Sequence, residues 1–422
     1  MSVRFSLPVS TALRESFRAG YGLPVFKSDL GAAVVVALIA LPLSMALAVA
    51  VGLPPQHGLY TAIVAGIVAA LLGGSRFQVS GPTAAFVAIL APIVAQYGLG
   101  GLIWCQLMAG AVLVILGLSK LGRYIAHVPY AVTTGFTAGI AVVIATLSLN
   151  DFFGLRIAHM GDHYWEKAAS IVSAVPGLTP AETLVALVSL GVMIVFPRFS
   201  KAVPAPIVGI GAGTVVSVLA AKYGMPVDTI ASRFPPGIPA SMPAFQLPEM
   251  TNLAPLVVPA VTVALLAALE SLLSASVADN ITDTKHDPDS ELVGIGLGNL
   301  ACGFFAGIPA TGALARTAAN IHAGAKTPLS AVFHALFLLA FMLALAPYIS
   351  EIPMAALAAL LLMTAWRMAH LHLVRDVLRA GNAQDTALLL VTFFLTVIFD
   401  MVVGVGAGLS LALVFHLKNR KA

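Results

Sequence analysis

Three side chains set among apolar neighbours could do chemistry on an anion. Arg316 stands at the end of Gly307–Ile308–Pro309–Ala310–Thr311–Gly312–Ala313–Leu314–Ala315–Arg316, a run broken by Gly and Pro between two long apolar stretches. Glu270 lies inside an apolar run, with Leu269 before it and Leu272 and Leu273 after it. Thr83 follows a second Gly/Pro break, Val79–Ser80–Gly81–Pro82–Thr83–Ala84. A guanidinium at bilayer depth costs about 2.5–3.5 kcal/mol on insertion scales, so it marks an ion site or a pathway. Irregular backbone at that depth survives only where protein or a water-filled cavity surrounds it. The spacing predicts one short helix starting near Thr83 and another starting near Gly312. Free N–H groups at such helix starts attract an anion, and Arg316 adds a full positive charge. Thr83 and Ala84 on one side, and Leu314, Ala315 and Arg316 on the other, are therefore the candidate substrate-binding residues. Ser44, beside Pro42, is a further candidate, as are Thr311 and Thr317. The competing readings are structural: Arg316 paired to Glu270, Thr83 as a plain helix cap, and the hydroxyls bonded to nearby backbone.

Glu270 has two readings of its own, a proton-carrying residue or a static partner of Arg316. A carboxyl balanced between desolvation and a nearby cation can take and release a proton. Metal and cofactor chemistry is not expected. Cys105 and Cys302 have no partner spacing, and no His-Glu-x-x-His helix, aspartate pair or Ser/His set occurs at membrane depth. The chain reads as a non-enzyme.

The elements that must hold these residues are membrane helices. The chain has 422 residues, of which 59% are hydrophobic and 9% charged, with a mean hydropathy of +0.98. That composition marks an all-α polytopic membrane protein and excludes a soluble globular fold. No basic tract or nucleic-acid motif is present, so nucleic acid is not a partner. Fourteen segments are expected, two of them short. Residues 1–28 form a cytoplasmic lead-in without a cleavable signal, in which Thr11–Arg18 is amphipathic. Residues 29–222 hold the first seven segments, 223–253 a Pro-rich extracytoplasmic connector, and 254–422 the second seven. Leu41–Pro42–Leu43–Ser44 is expected to break the first span near its middle. Of 22 Lys and Arg residues, seventeen fall on the side of the N-terminus, four on the other, and Arg316 within the membrane, which places both termini inside. The third segment of each half is the broken one. Seven is odd, so the halves insert in opposite senses, an inverted repeat whose half-helices meet at a midplane site.

At these residues the sequence resembles the SulP anion-transporter family. The likeness is carried by Asp29 through Ala48, Gly52–Leu53–Pro54–Pro55–Gln56–His57–Gly58–Leu59–Tyr60, Gly74–Ser75–Arg76, Val79–Ser80–Gly81–Pro82–Thr83–Ala84, Glu270–Ser271–Leu272–Leu273–Ser274 and Ser290–Glu291–Leu292–Val293–Gly294. Within that family, Thr284–Lys285–His286, residues 290–299, Ala318–Ala319–Asn320 and Leu361–Leu362–Met363 are similar to the DauA-type carriers of four-carbon dicarboxylates. The resemblance implies a core domain of spans 1–4 and 8–11, a gate domain of spans 5–7 and 12–14, elevator-type alternating access, a homodimer and a bacterial inner membrane. It matches Glu270, with Ser274 one turn on, to the coupling site. Protons are the expected coupling ion, since the acidic oxygen set is thin for sodium. The implied function is proton-coupled uptake of succinate, fumarate or aspartate. The alternatives are sulfate or bicarbonate transport, coupled to protons or sodium, or an anion channel. Two departures are noted: no STAS domain follows the last span, and Leu43 stands where many members place a polar residue.

Overall fold

Long runs that are apolar on every side have one stable form in a bilayer, the helix, because it satisfies its own backbone. The computed structural model describes residues 9–122, 129–157, 160–161, 163–200, 203–248, 252–399 and 401–419. Parts of the expected lead-in (1–8) and connector (249–251), and the last three residues, lie outside that description. In chain order the described helices are α1 (Thr11–Arg18), α2 (Leu23–Ala50), α3 (Gln56–Leu72), α4 (Val87–Leu118, two helical pieces parted by a kink at Gly98), α5 (Tyr130–Phe153), α6 (Tyr164–Ala174), α7 (Pro180–Val195), α8 (Ala205–Lys222) and α9 (Ile230–Arg233). They continue as α10 (Val257–Thr282), α11 (Pro288–Gly303), α12 (Leu314–His322), α13 (Leu329–Ser350), α14 (Met354–Met368), α15 (Leu371–Arg379), α16 (Ala383–Ile398) and α17 (Met401–Asn419). Two strands of two residues each, β1 (Ser80–Gly81) and β2 (Thr311–Gly312), pair antiparallel. Eight of the described helical stretches are long and apolar enough to cross a membrane. The fold is a helical membrane protein, as the composition predicts.

The chain divides into two compact units, each drawing on both halves of the sequence. The first is built from Met1–Thr83, Ile93–Ala126 and Pro236–Ile349, and the second from Ala84–Pro92, His127–Pro235 and Ser350–Ala422. In the second unit, Thr229 bridges Pro353, and Arg156 and Arg233 gather Glu182, Asp228 and Asp151 into one ion-pair network at 3.2–3.5 Å.

Two local expectations need correction. The first span is not interrupted at Pro42: α2 starts at Leu23 and runs through it for 28 residues. A proline inside a helix removes one hydrogen bond and crowds the preceding turn. Here packing outweighs that cost, since Ala32, Ala33, Val36, Ala37 and Ala40 are wholly buried. The second lies between expected spans: α6 occupies the polar loop expected over 151–182, and α15 the gap between the spans expected at 353–369 and 385–400.

The first unit is held by helices in backbone contact. A Cβ at Gly296 would lie 2.8 Å from the Gly110 carbonyl oxygen, and a Cβ at Gly110 would lie 2.8 Å from the Gly296 carbonyl oxygen. The opposite face of α11 meets the end of α3, where a Cβ at Gly294 would stand 2.6 Å from the Gly73 Cα. Small residues at such crossings let membrane helices pack without a hydrophobic driving force. Backbone cannot yield as a flexible side chain can. Gly296→Val should therefore destabilise the protein by about 1–3 kcal/mol, read as a lower unfolding temperature in detergent. An unchanged transition would mean that the two helices are not in contact there.

Candidate functional site

Residues 307–313 join α11 to α12 and carry no helix. Their backbone groups must find partners within the protein, and side chains from four elements supply them. The Thr61 hydroxyl on α3 accepts from the Ile308 N–H at 2.7 Å. Gln106 on α4 donates its amide to the Ile308 carbonyl at 3.2 Å. The Asn299 amide on α11 serves Ala310 twice, accepting from its N–H and donating to its carbonyl, both at 2.8 Å. The Ser271 hydroxyl on α10 accepts from the Gly312 N–H at 2.9 Å. Beyond these, β2 pairs with β1, Ser80 opposite Gly312 and Gly81 opposite Thr311. Ala313 then donates to the Val79 carbonyl at 2.9 Å.

The first break is anchored from α11. The Glu291 carboxylate, 2% exposed, accepts from Gly74 N–H and Ser75 N–H at 2.9 Å each and from the Gln78 amide. Both loops that run irregularly between apolar helices are thus pinned by buried polar side chains.

On this frame the candidate residues take definite positions. The helix α12 opens at Leu314 and has nine residues, with Ala313 as its cap and no side-chain capping bond. Nine residues span about 14 Å, half of a bilayer core. Leu314 is half-buried and Ala315 exposed, so the helix start is open. Arg316 is 1% exposed. Its Nη2 donates to the Pro82 carbonyl, and Nη1 lies against Gly81, where a Cβ would stand 2.6 Å away. Its Nε and Nη1 have no hydrogen-bond partner among the described residues. The Thr83 hydroxyl donates to Glu270 Oε2 at 2.7 Å, and both residues are partly exposed. Thr83 is therefore engaged with a carboxylate rather than with a helix cap. Glu270 makes no ion pair with Arg316 within 4.0 Å, although the two charges interact at longer range.

Ser274, one turn beyond Glu270, is wholly buried. It donates to Thr317 at 3.2 Å, and Thr317 in turn accepts from the Val79 N–H at 3.1 Å. Thr311 lies 2.8 Å from the Ser271 hydroxyl and donates to the Ala267 carbonyl. The structure thus brings Thr83, Glu270, Ser274, Leu314, Ala315 and Arg316 around one pair of chain breaks. Ser44 is not joined to them by any hydrogen bond: it is buried on α2 with its hydroxyl unpartnered. Ala84 opens a 3-10 turn, Ala84–Phe86, and belongs to the second unit. No cluster of three or more His, Cys, Asp or Glu side chains able to hold a metal occurs among the described residues.

Chemically, the first unit offers an open helix start, a carboxylate–hydroxyl pair and a buried guanidinium behind β1. The guanidinium acts there through its field and by fastening the first break to the second. Sequence reasoning missed the residues that build the frame: Thr61, Gln78, Gln106, Ser271, Glu291 and Asn299. Their one signal is a polar side chain within an apolar run. Spacing cannot pair them with partners such as Ile308, which is 247 residues from Thr61.

The whole chain is similar to known proteins. Residues 26–392 match the model of the sulfate permease family. YvdB of Bacillus subtilis (strain 168), provisionally named a sulfate transporter, is 44% identical over 402 residues, 95% of this chain and 75% of the relative. The bicarbonate transporter BicA of Picosynechococcus sp. is 30% identical over 407 residues, 93% of this chain and 70% of the relative. The solved transmembrane domain of a cyanobacterial BicA superposes with a TM-score of 0.80 at 30% identity, covering 92% of this chain and 99% of that one. Murine Slc26a9 in its inward-facing state, an anion transporter, shares the fold with a TM-score of 0.86 at 18% identity, covering 97% and 71%. The chain belongs to the sulfate permease family of membrane transporters.

Proposed function

We propose that this chain is a secondary active transporter of small anions, driven by protons, with its binding site in the first unit. The observation that carries the reading is the placement of Glu270. Glu270 is a half-buried residue whose carboxylate is bonded to Thr83 and within electrostatic reach of a buried Arg316 that it does not neutralise as an ion pair. The binding group is Thr83 with the free N–H groups at Leu314 and Ala315, and Arg316 supplies positive potential from behind. Ser44 is a secondary member, Ser274 braces α12 through Thr317, and Ala84 falls in the second unit, outside this group.

Sulfate is the cargo we put first, on the identity to YvdB. Bicarbonate follows from BicA, and a four-carbon dicarboxylate follows from the DauA-type motifs. Charge makes coupling necessary for a dianion: at 100 mV, inside negative, two negative charges face about 4.6 kcal/mol, which co-transported protons offset. With this reading we carry the inverted repeat of seven segments each (29–222 and 254–422), elevator-type alternating access with the first unit as carrier, a homodimer, and a bacterial inner membrane with both termini inside.

Uptake of labelled sulfate, bicarbonate and succinate into proteoliposomes tests the cargo. Sulfate should enter fastest and saturate, and faster succinate entry uninhibited by sulfate would replace it. Flux that fails to saturate and ignores the proton gradient would point to a channel. Glu270→Gln should still bind the anion. With one coupled proton, each unit of pH gradient multiplies the accumulation ratio about ten-fold, and this variant should flatten that slope. An unaltered slope would remove Glu270 from the scheme. Arg316→Ala should abolish anion-induced thermal stabilisation, and Arg316→Lys should restore only part of it, because an ammonium lacks the planar fork that meets Pro82 and Gly81.

A further inference from the structure

One surface of the second unit has no part in this scheme. The helix α14 ends with Trp366 and Arg367 both exposed, Trp366 at 72%. His370, at φ 41°, then turns the chain into α15. Its sequence, Leu371–His372–Leu373–Val374–Arg375–Asp376–Val377–Leu378–Arg379, makes a helix with two distinct faces. Val374 and Val377 pack against Ala131, Val132, Leu388 and Leu389. On the other side Leu371 is 51% exposed and Leu378 45%, and Arg375 stands between them on the same stripe at the i, i+4, i+7 spacing. Arg379 and His372 flank that stripe and are exposed as well. Arg367, Arg375 and Arg379 make no ion pair among the described residues, and Asp376 is the single acid in α15.

Exposed leucines and an exposed indole alternating with unpaired arginines suit neither water nor hydrocarbon. They suit the boundary between the two, where apolar side chains enter the acyl region and guanidinia meet phosphate. We propose that α15, with Trp366 and Arg367 before it, is an interfacial helix that binds the headgroups of anionic phospholipids. Charge complementarity selects this occupant. A second copy would bring the same arginine stripe against itself, and a zwitterionic headgroup would leave the net positive charge without a counterpart.

Trp366 is a built-in reporter, one of three tryptophans. The intact chain is reconstituted in phosphatidylcholine vesicles containing brominated phosphatidylglycerol or, at equal mole fraction, brominated phosphatidylcholine. Quenching lost in Trp366→Phe isolates the signal of this residue. The anionic lipid should quench Trp366 with about ten-fold higher apparent affinity, and the preference should fall as salt rises. Arg375→Gln with Arg379→Gln should abolish the preference, and the matching Lys replacements should keep most of it. Equal quenching by both lipids, or a preference that survives the double Gln variant, overturns the proposal. Quenching by neither lipid also overturns it, since another copy or a protein partner then covers the face. The salt dependence is measured on unaltered protein and stands whether or not the variants fold.

Discussion

The structure depends on one constraint: backbone that leaves the helix at membrane depth has no water to bond, and each unpaired group costs several kcal/mol. Residues 307–313 meet it with borrowed side chains. Asn299 shows how exacting the requirement is. Only a primary amide presents a donor and an acceptor side by side, so Asn299 can close both polar groups of Ala310 as a neighbouring strand would. Thr61, Gln106 and Ser271 do the same for Ile308 and Gly312 with one or two bonds each. The open start of α12 exists because these four residues bear the cost of the break.

Short side chains can reach across only if the helices carrying them lie unusually close. That is the work of the glycines on α11. Gly296 against Gly110 and Gly294 against Gly73 bring backbone to backbone, and Asn299 follows on the same helix, level with Ala310. Glycine packing and polar satisfaction are thus one design: the first sets the distance at which the second can operate. Glu291, on the same helix, extends it to the approach to β1. A single helix, α11, therefore steadies both chain breaks.

Much of this was legible in the sequence, for identifiable reasons. Apolar runs ended by Gly and Pro announce the helices and both breaks, and Thr11–Arg18 forms the short helix expected of its two-faced pattern. Arg316 and Glu270 stand out because charge among apolar residues is costly. Other features were hidden. The Pro42 break was misjudged, because proline's local cost was weighed without the alanine packing that offsets it. The role of Asn299 could not be read, since a lone amide in an apolar run does not say which distant backbone it serves. The bond from Thr83 to Glu270 joins residues 187 apart, beyond the reach of any spacing rule.

The placement of Arg316 bears on the proposed cycle. A guanidinium at the open helix tip would hold an anion tightly and release it slowly. Set behind β1, with Nη2 given to Pro82, it contributes field more than contact. Glu270, bonded to Thr83, carries the opposite charge when ionised. The pair then sums to zero, and only the start of α12 attracts an anion. When Glu270 takes a proton, a net positive charge is left and the anion is favoured. Linkage makes the converse equally true: a bound anion favours the proton on Glu270 by the same factor. In the proposed cycle each ligand recruits the other through the charge of Arg316 and the carboxyl of Glu270, which is the thermodynamic requirement for carrying both across together.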